Sequence, residues 1–242
     1  MNDKFSLSVI LPVYNEEVAL KPVVRGIADF LQKNSEFERY EIIAVEDGSS
    51  DRSGDILREM EKEIFCLRVL YHEYNLGYGA ALSSGFKIAR YPLLLCMDAD
   101  GQFDISDLET MADFLKDYDA VIGYREGRKD NLYRIIVGKA YNFLACLLFG
   151  ERFKDINCGF KLFKRELIGE TDFKSHAGVF YTELLFMARS RKCKIKQAPV
   201  RHFPRSTGKS TGASPLVIRR AIADLIWLFK HRVSFSLKEV GE

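Results

Sequence analysis

The sequence of 242 residues lacks the marks of a disulfide-stapled, zinc-bound, secreted or membrane-spanning protein. Its five cysteines are odd in number, widely spaced and contain no C-x-x-C pair, so neither a zinc site nor a disulfide framework is predicted. No uninterrupted apolar run approaches the ~20 residues that cross a bilayer, and the first residues lack the apolar core of a signal peptide. We therefore expect a protein of the reducing cytoplasm.

The sequence also has few histidines and little net charge. The four histidines lack the i,i+4 spacing of a metal site, so each is interpreted as a surface or loop residue. The formal net charge of +2 argues neither for nor against nucleic acid, which we do not expect as a partner. The content of 47% hydrophobic and 29% charged residues is instead typical of a soluble globular protein with an ample core.

The first half of the sequence alternates short apolar runs with segments of helical periodicity. The predicted strands are 7–11, 42–45, 67–71, 93–97 and 120–123. The predicted helices are 18–31, 50–64, 77–89 and one that runs from an S-x-x-E capping box at 106 to 115. This βαβα pattern predicts an α/β fold with a mostly parallel sheet and helices on both faces.

The second half departs from this alternation. A basic loop leads into an apolar helix predicted at 135–149, and the later elements are a short segment at 159–163, a helix at 181–191, a strand at 195–200 and a last helix at 216–231. We expect residues 1–124 and 125–214 to be two halves of the same domain. A C-terminal helix and tail are expected over 215–242.

The stretch from Asp98 to Gln102, Asp-Ala-Asp-Gly-Gln, directly follows the apolar run 93–97. Such a run is typical of a buried parallel strand, and open α/β sheets bind ligands just beyond the ends of their strands. Two carboxylates at i and i+2 there can hold a divalent cation, since Mg²⁺ commonly takes one or two carboxylates together with substrate phosphates. The residues alone are equally compatible with an Asx-type turn that bears two solvated acids.

Two earlier predicted strands also end in acidic loops. After the first strand, Pro12 fixes the exit of the chain, Tyr14 offers a ring face for a nucleobase and Glu16 offers an acceptor. The same acidic residue could simply begin the next helix. After the second strand, Asp47 could accept a hydrogen bond from a nucleobase or a ribose. The acidic loops of three strands are thus expected to converge at one edge of the sheet.

The segments LPVYNE, EDGSSD and DADGQ, in this order, resemble the motifs of the family 2 inverting glycosyltransferases of the GT-A fold. The resemblance implies a Rossmann-like α/β fold with a C-terminal acceptor lobe that ends in an amphipathic helix. It implies that the half over 1–124 binds the donor and that the half over 125–214 is the acceptor and catalytic half. It also implies a nucleoside-diphosphate sugar as donor and Mg²⁺ or Mn²⁺ as cofactor, with Asp98 and Asp100 as metal ligands and Asp100 on the diphosphate. The residues implied in donor binding are Pro12, Tyr14, Glu16, Asp47 and Asp98.

Several features resemble the polyprenyl-phosphate branch of that family, typified by dolichyl-phosphate mannose synthase. Gln102 matches the D-A-D-x-Q motif, whose glutamine joins the metal shell, and Arg125 matches the arginine of V-x-G-x-R, which faces the phosphates. Arg134 and Lys139 correspond to the basic residues of R-x-x-x-S-R, although Lys139 lacks the bidentate fork of the usual arginine. Residues 155–161 resemble D-x-x-x-G-F-[KR], which shapes the catalytic cleft. The three basic residues are implied to hold the acceptor phosphate.

The segment Thr182-Glu183-Leu184 compares with the T-E-D signature of glycosyltransferases that act on sugar hydroxyls. In that signature the aspartate is the general base, because a hydroxyl must lose its proton during attack. Leu184 occupies the position here, and a phosphate acceptor, which is already ionised, needs no such base. The departure favours a phosphate acceptor, and we expect Glu183 to line the cleft.

Two glycine-containing segments resemble nucleotide-binding motifs only in part. Leu82 stands where the dinucleotide fingerprint needs its last glycine, and Phe203 stands where Walker A needs its first, so neither fold is predicted. The segment 205–210 instead resembles the R-x-x-G-x-S loop of the polyprenyl-phosphate branch. Arg205 and Lys209 would then close over the donor diphosphate and neutralise the charge of the leaving group.

The last predicted helix carries apolar residues on one broad face, a lone tryptophan, Trp227, and a basic cluster at 230–232. These features suit a helix that lies in a membrane interface. Packing of the same face against the main domain is equally compatible with the pattern.

These features together predict a metal-dependent inverting hexosyltransferase. It would move a hexose from a donor of the GDP-mannose or UDP-glucose type to a polyprenyl or dolichyl phosphate, docked peripherally on the cytoplasmic face of the membrane. One alternative is a glycosyltransferase that acts on a glycan or protein hydroxyl. Another is a catalytically idle module that binds nucleotide sugars, which the intact Asp98, Asp100 and Gln102 disfavour.

Overall fold

Strands from both halves of the sequence form one seven-stranded sheet in the computed structural model. The structure describes residues 4–130, 132–169, 171, 173–175, 179–205 and 215–237, with 215–217 and 232–237 described by their backbone alone. The strands are β1 (Phe5–Val13), β2 (Phe37–Asp47), β3 (Leu67–His72), β4 (Leu93–Cys96), β5 (Ala120–Glu126), β6 (Lys161–Lys164) and β7 (Ile195–Arg201). The helices are α1 (Leu20–Lys33), α2 (Ser53–Glu63), α3 (Tyr78–Ile88), α4 (Asp107–Phe114), α5 (Leu132–Phe149), α6 (Phe180–Ser190) and α7 (Pro215–Leu237).

The order of strands in the sheet is β3-β2-β1-β4-β6-β5-β7. Neighbouring strands are parallel except where β6 pairs antiparallel with β4 and β5. The chain moves outward from β1 to β3 and returns to β4 on the other side of β1, so the loops after β1 and β4 diverge. Such a switch point is where open α/β sheets bind ligands. The predicted α/β fold with a mostly parallel sheet is confirmed.

Helices cover both faces of the sheet. In β4, Leu93 and Leu95 join the core beneath α1, α2 and α4, whereas Leu94 and Cys96 join the core beneath α3 and α6. Because both faces are buried, every position of such a strand is apolar, which accounts for the unbroken apolar runs in the sequence.

The predicted capping box at the start of α4 is wrong. Ser106 donates through Oγ to Asp104 Oδ1 (2.8 Å), and Glu109 accepts a hydrogen bond from Asn34. Neither side chain therefore caps the helix in the reciprocal manner that S-x-x-E predicts. Asp104 takes the role instead, since its Oδ1 also accepts from the amide of Ser106 (3.0 Å).

Helix α5 is long and apolar enough, by length and composition, to cross a membrane. This corrects the expectation that no apolar segment approaches that length, because Arg134 and Lys139 interrupt the run in sequence without making the helix polar. Tyr141 bonds to Thr182 of α6 (2.7 Å), and Ala145 is buried between the helices. One face of α5 therefore lies on the domain, while the opposite face is exposed.

Helix α7 lacks the single apolar face that the sequence predicts. Leu225 and Leu228 are buried in the core shared with α5 and α6, whereas Ile222, Ile226 and Trp227 are exposed. The apolar residues thus divide between a side that packs on the domain and a side in contact with solvent. The prediction of a simple amphipathic C-terminal helix is not confirmed.

Candidate active site

Two loops at the carboxyl edge of the sheet are bonded to each other. Asn15, in the loop after β1, has a φ of 56°, a left-handed conformation that asparagine tolerates better than most residues. Its Oδ1 accepts from the amide of Ser50 (2.8 Å), and its own amide donates to Ser49 Oγ (3.0 Å). The amide of Glu16 donates to Ser53 Oγ (2.9 Å). These bonds fix the loop after β1 against the loop after β2.

The residues of the first loop that were predicted to bind the donor lie at different depths. Pro12 is buried within β1, where it pairs with Val45 of β2. Tyr14 is 42% exposed just beyond the strand, so its ring face is accessible. Glu16 is half-buried and forms an ion pair with Arg205. The loop therefore presents one aromatic ring and one carboxylate at the edge of the sheet.

Asp47 is buried and engaged by the chain itself. Its Oδ1 accepts from the amide of Leu76 (2.9 Å) and lies 2.7 Å from His72 Nδ1. Its Oδ2 accepts from the amide of Gly77 (2.9 Å), which has a φ of 97° that favours glycine. Asp47 thus holds the connection between β3 and α3 in place, and its contact with a donor nucleotide stays a prediction.

Asp98 is held from two sides. Tyr78, the first residue of α3, donates its hydroxyl hydrogen to Asp98 Oδ1 (2.6 Å). The carboxylate also lies against the backbone of Gly159, where a Cβ atom would overlap both carboxylate oxygens. Burial raises the pKa of Asp98, and the hydrogen bond from Tyr78 opposes the rise. The position of this carboxylate therefore depends on two residues far from it in sequence.

Asp100 and Gln102 tie the loop after β4 to the chain that follows β7. Asp100 Oδ1 accepts from the amide of Gln102 (3.0 Å), and Oδ2 lies 3.4 Å from Arg205 Nη1. The Gln102 side chain donates from Nε2 to the carbonyl of Phe203 (3.0 Å), whose amide donates to the carbonyl of Gln102 (2.9 Å). Arg205 is thereby held beside the Asp-Ala-Asp-Gly-Gln loop.

Glu16, Asp98 and Asp100 concentrate negative charge in a partly buried cleft. Burial and the neighbouring carboxylate of Asp98 raise the pKa of Asp100 to about 7, and burial also raises the pKa of Glu16. Over the described residues, no three His, Cys, Asp or Glu side chains form a complete metal cage. Partly buried carboxylates of this kind nevertheless fit Mg²⁺ or Mn²⁺, which can draw its other ligands from substrate phosphates.

Three arginines and two aspartates form an ionic cluster beside this cleft, here called the arginine cluster. Arg125 donates from Nε and Nη2 to the two oxygens of Asp155 (2.7 and 2.8 Å). Burial alone would lower the pKa of Arg125, but Asp155 raises it above its ordinary value. Asp130 accepts from both Arg128 and Arg134. The fork of Arg125, predicted to face phosphates, is thus filled by Asp155, and the cluster retains excess positive charge.

The remaining predicted basic residues have different surroundings. Lys139 is exposed on α5, next to Gly138, which lies against the guanidinium of Arg128. Arg205 contacts the carboxylates of Glu16 and Asp100, the groups expected to face the donor diphosphate and its metal. Lys209 lies outside the described residues.

Residues 8–176 match the family model described as glycosyl transferase family 2. The chain belongs to this family. Among its curated relatives is a dolichyl-phosphate beta-glucosyltransferase of Trichomonas vaginalis, 32% identical over 80% of this chain and 64% of the relative. A dodecaprenyl-phosphate galacturonate synthase of Rhizobium johnstonii is 32% identical over 67% of this chain and 48% of the relative. The chain thus spans about half to two thirds of the length of these relatives.

A solved structure shares the fold of this family 2 chain. Glucosyl-3-phosphoglycerate synthase from Mycobacterium tuberculosis, in complex with Mn²⁺, uridine diphosphate and phosphoglyceric acid, has a TM-score of 0.72 at 19% identity. The match covers 93% of this chain and 78% of that one. The likeness confirms the GT-A fold that the motifs predicted.

The segment Thr182-Glu183-Leu184, whose sequence compares with a T-E-D signature, is buried and bonded within the fold. Leu184 is buried in the core. Glu183 does not line the cleft as expected, because its two oxygens accept from the amides of Lys174 (3.0 Å) and Ser175 (2.8 Å). Thr182 bonds to Tyr141 of α5. None of these three side chains of α6 is therefore placed to act as a general base.

Sequence reasoning did not identify several residues that build this family 2 site. Tyr78, which the sequence analysis does not single out, donates a hydrogen bond to Asp98. Arg128 and Asp130 lie in the basic loop before α5 and complete the arginine cluster. The density of charge in that loop is a signal that could have indicated them, whereas no local signal marks Tyr78.

We predict that Gly159→Ala weakens Mn²⁺ binding at least about 10-fold, because the added methyl group must displace the Asp98 carboxylate. Free Mn²⁺ measured by electron paramagnetic resonance during a protein titration gives the affinity. Gly26→Ala is the matched control, since a Cβ atom at Gly26 meets nothing within 4 Å. Equal Mn²⁺ affinity in the two variants would contradict the close seating of Asp98.

Proposed function

We propose that this family 2 protein transfers a hexose from a nucleoside-diphosphate sugar to a polyprenyl phosphate, with inversion at the anomeric carbon. The observation that carries the proposal is the pair Asp98 and Asp100, two partly buried carboxylates at the switch point of the sheet whose pKa values are raised by burial. The dolichyl-phosphate and dodecaprenyl-phosphate relatives support the choice of acceptor. The donor is of the GDP-mannose or UDP-glucose type.

The metal would be held by Asp98, Asp100 and Gln102. The Gln102 amide donates from Nε2 to Phe203, which leaves its Oε1 as the atom suited to a cation. Mg²⁺ or Mn²⁺ in this place supplies stabilisation of the negative charge that develops on the departing nucleotide. Tyr14 and Glu16 lie at the neighbouring strand end, where they would contact the nucleotide, and Pro12 and Asp47 shape the loops that carry it.

The acceptor phosphate would be held at the arginine cluster. A phosphate is ionised at neutral pH, so the absence of a base at Leu184 does not prevent attack on the anomeric carbon. Arg134 and Lys139 lie on α5 beside the cluster and would contact the phosphate, while Arg125, bound to Asp155, would contribute its charge. Arg205 would turn from the carboxylates to the donor diphosphate. The same contact with the diphosphate is proposed for Lys209.

Peripheral contact with the cytoplasmic face of a membrane is proposed to occur through α5. Its exposed apolar side chains recur at helical spacing along one stripe, here called the α5 stripe: Leu132, Ile136, Phe143 and Leu147. Tyr141 and Ala145 tie the opposite face to the domain, so the helix can lie along a bilayer surface without leaving the fold. Exposed Lys139 beside the stripe suits an anionic lipid surface.

We predict that Asp100→Asn lowers transfer at least about 100-fold, because it removes a charge that would hold the metal against the leaving group. The assay follows label from radiolabelled GDP-mannose or UDP-glucose into an organic phase that contains a polyprenyl phosphate, with Mn²⁺ present. Asp113→Asn, at an exposed site on α4, is the matched control and should retain wild-type transfer.

Two results of this assay would overturn parts of the proposal. Full activity of Asp100→Asn would contradict the metal assignment. Label that enters only a water-soluble glycan, with none in the lipid, would contradict the polyprenyl-phosphate acceptor.

We predict that the double variant Ile136→Ser, Phe143→Ser binds liposomes of mixed neutral and anionic lipid at least about 10-fold more weakly, because burial of the α5 stripe is lost. Co-sedimentation with the liposomes measures the partition. Phe65→Ser removes an exposed aromatic side chain at the opposite edge of the sheet and should bind like the wild type. Unchanged binding of the double variant would exclude α5 as the docking surface.

A further inference from the structure

The hydrogen bond that Tyr78 donates to Asp98 is the end of a longer chain of hydroxyl groups. The Tyr78 hydroxyl lies 2.8 Å from the hydroxyl of Tyr181 on α6, and the two rings meet edge-on with centroids 5.8 Å apart. A carboxylate only accepts, so the hydrogen of Tyr78 is committed to Asp98. Tyr78 must therefore accept from Tyr181, whose hydroxyl is farther, 3.4 Å, from its other acceptor, the carbonyl oxygen of Gly159. The chain runs in one direction, from Tyr181 to Tyr78 to Asp98.

A buried lysine lies next to Tyr181, where this chain of hydroxyl groups begins. Lys161, the first residue of β6, is fully buried, and its ammonium lies 3.7 Å from the centroid of the Tyr181 ring. It also donates to the carbonyl of Cys158. An ammonium over an aromatic ring is attracted to it, which helps to fix the position of the Tyr181 ring, and hydrogen bonds in a chain polarise one another. The surroundings of Tyr181 thus hold its hydroxyl next to that of Tyr78.

The space around Asp98 makes this bond decisive for its orientation. Gly159 closes one side of the carboxylate at van der Waals distance, and Tyr78 holds one oxygen from the other side. Without the Tyr78 hydroxyl, the carboxylate would lose the one described side-chain hydrogen bond that fixes its rotation. The Tyr181 ring packs against the rings of Tyr78 and Phe180, so a phenylalanine at position 78 or 181 keeps the ring contacts.

We propose that Tyr78 and Tyr181 are positioning residues that set the affinity of the site for its divalent cation by fixing the rotation of the Asp98 carboxylate. Partners of metal ligands of this kind orient the ligand and tune its basicity. The inference rests on the proposed function, since it assigns the metal to Asp98. It adds that the metal site is supported from α3 and α6, two helices outside the motif that carries the ligands.

The test compares Tyr78→Phe, Tyr181→Phe and the double variant in the full-length protein. Mn²⁺ affinity is measured by electron paramagnetic resonance without donor or acceptor, and circular dichroism confirms the fold. We expect Tyr78→Phe to weaken Mn²⁺ binding about 10-fold, and Tyr181→Phe to weaken it less. The double variant should bind like Tyr78→Phe alone, because Tyr181 acts only through Tyr78. Tyr40→Phe, in a half-buried tyrosine at the amino end of β2, is the matched control.

A transfer assay adds a second readout. The apparent KM for Mn²⁺ should rise in Tyr78→Phe while kcat at saturating Mn²⁺ stays near that of the wild type. A role in packing alone would leave the Mn²⁺ affinity of a folded Tyr78→Phe unchanged, and that result would overturn the inference. Additive losses in the double variant would overturn the directed chain.

Asp98→Asn separates this inference from the proposed function. If Asp98→Asn binds Mn²⁺ like the wild type, the metal assignment itself fails. If Asp98→Asn loses binding while Tyr78→Phe retains it, the metal assignment stands and the positioning role of the tyrosines is wrong.

Discussion

Negative charge held away from water at the end of a parallel sheet is the constraint on which the rest of this structure depends. Glu16 and Asp98 come together because β1 and β4 are adjacent parallel strands with diverging loops. A buried carboxylate is costly unless a cation or a donor faces it. Arg205 faces Glu16 and Asp100, and Tyr78 faces Asp98. A metal bound with a diphosphate would neutralise the same carboxylates. Arg205 and the metal would therefore both supply the positive charge that these carboxylates require.

The reversed direction of β6 explains how the two halves of the chain share this site. Because β6 is antiparallel, its amino end lies at the edge where its parallel neighbours have their carboxyl ends. The segment that leads into it places Gly159 against Asp98 and Asp155 against Arg125. This one short segment therefore contacts Asp98 through Gly159 and is part of the arginine cluster through Asp155. A movement of this segment at the contact with Asp98 would therefore also move its contact with Arg125.

The features of the fold and the site that could be predicted from the sequence are those that depend on short stretches of chain. Apolar runs followed by acids identify the strand ends and bring Asp98 and Asp100 to the edge of a sheet. The partners of those acids come from distant parts of the chain, so no local pattern indicates that Tyr78 binds Asp98 or that Asp155 fills the fork of Arg125. The same limit applies to α5, because periodicity shows which side chains are apolar but not which of them another helix covers.

In the proposed function, the position of α5 brings the membrane surface close to the residues that would bind the acceptor phosphate. Its first turn carries both Leu132, where the α5 stripe begins, and Arg134, which joins the arginine cluster on the opposite, domain-facing side of the helix. A lipid whose tail lies in the bilayer beside the stripe would bring its phosphate to the cluster. Asp155 belongs to the cluster, and four residues later in the same segment Gly159 lies against Asp98. An acceptor free in water would have no use for the stripe, and this continuity favours a lipid phosphate over a soluble hydroxyl.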